Sequence, residues 1–295
     1  MRPAEQGFLL LSSHLGDPDR KVLTVPQLRT LAQRAKLLQN EDRDLDAEDL
    51  LRLGYDRAMA ERILQLLDGE SRLAWYLSRG KRCGCASVAR ISENYPQRLR
   101  SRMALDAPGC LWAKGDLELL KKPAVALVGS RELAEDNRRF AREAGKQAAL
   151  QGFVLVSGNA KGADRAAQEA CLQAGGQVIS VVADALEGKP ETSGVLWLSE
   201  DGFEMEFSTP RALSRNRVIH ALADVTLVAQ CSLGKGGTWD GTVKNLHHGY
   251  SPVCCFSDGS PATQELMQRG ATAVTIADLQ DLRALTETEP NFMGQ

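Results

Sequence analysis

Seven short apolar runs recur between residues 122 and 277, and almost none alternates with polar residues. They begin at Ala124 (AVALVGS), Phe153 (FVLVSG), Gln177 (QVISVVA), Val195 (VLWLS), Asp224 (DVTLVAQ), Pro252 (PVCCFS) and Ala271 (ATAVTIA). A strand needs such unbroken hydrophobicity when both of its faces are covered, as happens in a parallel sheet flanked by helices. The stretches between them, 135–150, 162–174, 211–222, 238–248 and 261–269, read as helices. Strand and helix taking turns in this way predict an α/β fold, an extended Rossmann-like doubly wound and mostly parallel sheet.

The first 85 residues read as a small helical domain. Leu28, Leu31, Ala35 and Leu38 keep helical spacing, as do Ala60, Ile63, Leu64 and Leu67. Asp46 is placed to cap the segment AEDLLRLG, which Gly54 would end. The chain thus divides into a helical domain (1–85), a connecting segment (86–121), the Rossmann-like domain (122–285) and a flexible tail (286–295). The helical domain carries no catalytic pattern, and two readings stay open for it: contact with a partner or with DNA backbone, or a packing appendage.

A formal net charge of −2 excludes a globally basic nucleic-acid binder but leaves room for a local basic groove. No stretch approaches the roughly 20 apolar residues that span a bilayer. The N-terminal apolar run, Phe8 to Leu11, is too short for a secretory core. These features predict a cytoplasmic protein without membrane contact. The seven cysteines follow no disulfide or zinc spacing and read as buried thiols in a reducing compartment.

In an open parallel sheet, ligands bind at the carboxyl ends of the strands, beside helix amino termini. Four segments there pair small residues with a cation: Gly129-Ser130-Arg131, the stretch from Ser157 and Gly158 through Lys161 and Gly162 to Asp164, the helical Arg215-Asn216-Arg217, and Lys235-Gly236-Gly237-Thr238. Glycine admits an anion close to backbone N–H groups, and Lys or Arg supplies full charge. Ser130, Ser157 and Thr238 add hydroxyls able to complete phosphate coordination. A phosphorylated ligand is the expectation. The Walker pattern and the G-x-G-x-x-G fingerprint are both missing, as is any nucleophilic triad. His247 and His248, adjacent on a helix, point in different directions, and His220 reads as a core or interface residue. Neither a metal, a cofactor nor catalysis is expected.

The stretch from Glu93 to Arg131, ENYPQRLRSRMALDAPGCLWAKGDLELLKKPAVALVGSR, resembles the DNA-processing protein A (DprA/Smf) family, with its YP-x-x-L, D-x-P, KGD and VGSR succession. VSGNAKGADRAAQEACLQAGGQVISVVA and SRNRVIHALADVTLVAQ continue the likeness. The resemblance implies a non-catalytic protein that binds single-stranded DNA, acts in natural transformation and recombination, helps load a RecA-type recombinase and forms a homodimer. It places DNA contacts at Ser130, Arg131, Gly158, Lys161, Gly162, Arg215, Asn216 and Arg217. For Asp164, a helix-start role and a site role both stand.

This chain departs from the family at several points. Gln168 stands where a histidine is usual, Gln230 where a glutamate is usual, and the loop LVAQCSLGKGGTWDGT is reshaped around Lys235 and Trp239. The winged-helix extension of many members is not expected. Trp239 reads either as a base-stacking residue or as a tryptophan packed at the sheet edge. Two further classes stay open: a nucleotide sensor or phosphoribohydrolase-like enzyme, suggested by Gly236-Gly237-Thr238, and a protein-interaction module.

Overall fold

Strands of the expected kind form one sheet, described here in a computed structural model that covers residues 1–38 and 45–287. Residues 288–295, which make up most of the expected tail, lie outside the described residues. The strands are β1 Ala86–Ala89, β2 Cys110–Lys114, β3 Ala124–Val128, β4 Val154–Ser157, β5 Gln177–Val181, β6 Val195–Ser199, β7 Val225–Val228, β8 Val253–Phe256 and β9 Thr272–Val274. The helices are α1 Pro3–Ser12, α2 Val25–Ala35, α3 Ala47–Arg52, α4 Arg57–Leu67, α5 Glu70–Arg82 and α6 Gln97–Met103. They continue with α7 Glu135–Leu150, α8 Ala163–Gln173, α9 Thr209–Leu222, α10 Gly236–His248, α11 Pro261–Gln268 and α12 Leu282–Thr286.

The strand order is β1-β2-β6-β5-β4-β3-β7-β8-β9. From β6 to β9 every pairing is parallel, whereas β1 and β2 run antiparallel to each other and β2 to β6. All seven apolar runs are strands. The two antiparallel strands lie in the segment read as a connection, where periodicity is weak. ASVA is four residues long, and CLWAK carries Lys114, a lysine only 7% exposed.

Alternate residues of the central strands feed two cores, one on each face. Val125 and Leu127 pack with Phe140, Ala144 and Ala167 of α7 and α8. Ala124, Ala126 and Val128 pack with Val218 and Leu222 of α9 and with Leu266 of α11. α7 and α8 meet through Ala141, Ala144, Gly145, Ala163 and Ala167, all small, which lets the backbones come close.

α2, α3 and α4 enclose a small core of their own around Leu31, Leu50 and Ile63. α1 and α5 instead join the core of the sheet, through Leu9, Leu10, Leu73 and Tyr76. The Tyr76 ring stands edge-on to Trp112 with centroids 5.1 Å apart and lies 4.8 Å from Phe203. Its hydroxyl donates to Glu204 Oε2 at 2.6 Å. No helix among the described residues is long and apolar enough to cross a membrane.

A Cβ at Gly145 would lie 2.0 Å from the Ala167 carbonyl oxygen. Gly145→Ala is therefore expected to force α7 away from α8 and cost about 1–3 kcal/mol. Urea unfolding checks this as a lower midpoint at an unchanged slope.

Candidate anion-binding site

β3 and β7 lie side by side, but the chain leaves β3 for β4 on one side and β7 for β8 on the other. Their carboxyl-end loops diverge at this reversal, opening the crevice in which doubly wound sheets bind ligands. A cavity of about 400 Å³ occupies it. The loop after β3 contributes Gly129, Ser130 and Arg131 to its wall, α9 contributes Arg215 and Asn216, and the start of α10 contributes Lys235, Gly236, Gly237 and Thr238. The remaining segment reaches the wall through Ala160 and Asp164, so all four converge, although its cation Lys161 is not among the lining residues.

This fourth segment also supports the others. Asp164 at the start of α8 accepts the Gly158 and Ala160 N–H groups at 3.0 and 3.2 Å. Gly162 has φ +85°, and a Cβ there would stand 2.3 Å from the Ser130 carbonyl oxygen, so only glycine allows the two loops to touch. Ala163 N–H donates to the same oxygen. Lys161 is exposed on this loop, outside the cavity lining.

The hydroxyls expected to coordinate phosphate are spent on the protein itself. Ser157 is fully buried, and its Oγ accepts from Gln168 Nε2 at 2.5 Å. Ser130 directs both its N–H and its hydroxyl to the Gln230 carbonyl oxygen. Thr238 Oγ1 donates to the Gly129 carbonyl oxygen at 3.0 Å. Asn216 is likewise engaged, its Nδ2 donating to the Gly237 carbonyl oxygen at 3.0 Å. These bonds sew together the ends of β3, β7, α9 and α10. The donors they leave toward the cavity are cations and backbone N–H groups.

Arg217 does not join the cavity. Two helical positions from Arg215, it points roughly 200° away around α9. There it pairs with Glu200 Oε2 at 2.9 Å and donates to the Asp106 carbonyl oxygen. The carboxylate side of that ion pair is only 7% exposed.

Arg215 is the unusual residue. It is 9% exposed, and its Nε is buried without an acceptor. Among the described residues its guanidinium makes neither a hydrogen bond nor an ion pair. A Cβ on Gly158 would stand 1.6 Å from Nη1, so the glycine is the space in which the guanidinium lies. Burial pushes its pKa below the ordinary range, opposed by the charges of Asp164, Asp184 and Glu200. Burial likewise pushes the Asp164 carboxyl up, opposed first by Arg215 and then by the two backbone N–H groups. His220 also lines the cavity. Burial and the Arg215 charge hold its imidazole down at about 3, and Nδ1 lies 3.1 Å from Thr226 Oγ1. It is neutral at ordinary pH.

No side chain caps the first turn of α10. Among the described residues, the N–H groups of Gly236, Gly237 and Thr238 have no acceptor. Such a turn, 13 residues of helix behind it, attracts anions through its free donors and partial positive charge.

Sequence reasoning missed Phe207 and Leu213. Both line the cavity, and Phe207 is 58% exposed. The one signal was an aromatic in the short stretch MEFS that leads into α9. Trp239 lies outside the cavity, packed on the second core with the Arg269 guanidinium 5.8 Å from its ring centroid.

A sequence model of the DNA recombination-mediator protein A family matches residues 87–284. The DNA processing protein DprA of Streptococcus pneumoniae is 33% identical over 209 residues, 64% of this chain and 71% of that protein. Protein Smf of Escherichia coli is 30% identical over 65% of this chain and 53% of its own length. Among solved structures, DprA from Streptococcus pneumoniae superposes with a TM-score of 0.73 at 28% identity, covering 98% of this chain and 99% of the other. A Helicobacter pylori DNA processing protein A, described for its single-stranded DNA binding mode, gives a TM-score of 0.57 at 25% identity over 68% and 95% of the two chains.

If Arg215 is the anion ligand, inorganic phosphate should raise the melting temperature in proportion to its occupancy of the cavity. Arg215→Gln should abolish that increase. Arg217→Gln should retain it while costing about 1–3 kcal/mol through the unpaired Glu200. Thermal melts across a phosphate titration read both effects.

Proposed function

The chain belongs to the DNA recombination-mediator protein A family, the DprA/Smf proteins, and on that footing we propose that it binds the phosphate backbone of single-stranded DNA at the carboxyl-end cavity. The observation that carries this reading is the Arg215 guanidinium, nine-tenths buried, facing the cavity and without an acceptor among the described residues. A protein leaves such a charge unpaired where a ligand supplies the counter-charge. Arg131, Lys235 and the first turn of α10 extend the positive wall, and exposed Lys161 continues it along the rim. Cations that track phosphates give affinity without reading sequence.

Phe207 supplies the second element of single-strand binding. An exposed ring on the wall of a cationic cavity is a platform on which an unpaired base stacks, whereas paired bases are closed to it. Binding without turnover is the role: the neutral His220 and the Asp164 carboxylate, held by backbone N–H groups, are structural. In this reading the protein acts in DNA uptake and recombination, works as a homodimer in the cytoplasm and delivers the strand to a RecA-type recombinase. A second reading, a sensor of free nucleotides, is favoured by the cavity volume of about 400 Å³, near the small end of ligand sites.

Fluorescence anisotropy with oligo-dT at two salt concentrations tests the first reading. Affinity should fall steeply with salt, and Arg131→Ala, Lys161→Ala and Lys235→Ala should each lower the logarithmic salt slope by about 1. Phe207→Ala should weaken oligo-dT by about 1–3 kcal/mol and leave duplex affinity unchanged. Slopes that do not change in any lysine or arginine variant would remove the cavity from the interface.

A further inference from the structure

The donors in the cavity outnumber what an internal phosphate can accept. Arg215 offers a guanidinium fork, Gly236, Gly237 and Thr238 offer three backbone N–H groups, and Lys235 and Arg131 add two more cations. A phosphodiester within a strand has two terminal oxygens and one negative charge. A phosphate monoester has three terminal oxygens and a charge of about −1.5 to −2 at neutral pH.

The charges lining the cavity follow the same count. Among the described residues, Arg131, Arg215 and Lys235 face it, Asp164 is the one carboxylate on its wall, and His220 is neutral. Asp164 lies beyond ion-pair distance of Arg215, and its Oδ2 is taken by Gly158 and Ala160. Two positive charges are left over, which a dianion cancels and a diester does not.

Access points the same way. Arg215 is 9% exposed, with Gly158 pressed against its guanidinium. A phosphate that reaches it must descend below the rim. A monoester needs a single ester branch to leave the cavity, whereas a diester needs two.

Resting on the reading that this cavity grips nucleic acid, we infer that its preferred ligand is the terminal phosphate of a nucleotide, a phosphate monoester, and that it recognises strand ends ahead of strand interiors. The same chemistry is carried by a free mononucleotide.

Full-length protein is titrated against internally labelled oligo-dT in four forms: 5′-phosphorylated, 3′-phosphorylated, unphosphorylated and circular. Thymidine monophosphate serves as competitor. A phosphorylated end should bind about tenfold tighter than the unphosphorylated or circular strand, the worth of one charge-assisted hydrogen bond. Arg215→Gln should erase that advantage, over and above any loss of affinity common to all four strands. Lys235→Gln, at an exposed position, should narrow it even if the buried substitution unfolds the chain. Thymidine monophosphate displacing the phosphorylated end at equal concentration would identify the free nucleotide as the source and uphold the monoester. Equal affinity for all four strands would overturn the inference and leave the single-strand reading standing. Binding of thymidine monophosphate with no strand bound would uphold the monoester and overturn that reading instead, and binding of neither would overturn both.

Discussion

The carboxyl-end edge of the sheet is organised around a buried positive charge, Arg215, that has no hydrogen-bonded partner among the described residues. Placing a guanidinium out of water costs several kcal/mol unless something returns the lost solvation. Asp164 returns part of it through space, while its oxygen is held by the Gly158 and Ala160 N–H groups. The remainder is what an anion in the cavity would supply under the proposed reading. Gly158 has no side chain because the guanidinium fills that space, and Gly162 has none because its loop lies against the Ser130 carbonyl. Two glycines that look like generic phosphate-loop residues are there to accommodate Arg215 and its supporting turn.

This arrangement explains why the site hydroxyls face inward. A cavity whose donors are a guanidinium, an ammonium and backbone N–H groups is only as well defined as the loops that carry them. Ser130, Thr238 and Asn216 fasten those loops to one another. The departures from the family pattern fall on the same scaffold. Gln168 bonds inside to Ser157 and Ser180, and Gln230 accepts the Ala134 N–H ahead of α7. These two replacements keep a hydrogen-bonding group at a structural seam, whereas the reshaped loop supplies Lys235 and Gly236 to the cavity wall.

The amino-terminal helices join this edge through the segment between β6 and α9. Tyr76 holds Glu204, and Arg211 binds Asp201 and the carbonyl oxygens of Ala183, Met205 and Glu206. Phe207 follows directly in the chain and forms part of the cavity wall. Of the two readings left open for the helical part, packing is visible for α1 and α5, which share the core of the sheet. α2, α3 and α4, built around a core of their own, are the portion whose outer faces stand apart from the sheet.

Unbroken apolar runs and the helices between them determined the doubly wound sheet, because a strand covered on both faces has no polar period to hide it. The antiparallel strands β1 and β2 were not legible, since ASVA and CLWAK are short and owe their extended form to pairing, β1 with β2 and β2 with β6. The small-residue and cation pattern pointed to the strand ends, where Arg131, Arg215 and Lys235 line one cavity. What each group does there was decided by the tertiary structure. Arg215 and Arg217 are equivalent in sequence, yet opposite sides of α9 give one a cavity and the other Glu200. Ser157 belongs to the same pattern as Gly158 and lies fully buried. Composition sets which interactions are available to a residue, and only the packing of distant segments decides whether solvent, a ligand or another side chain receives them.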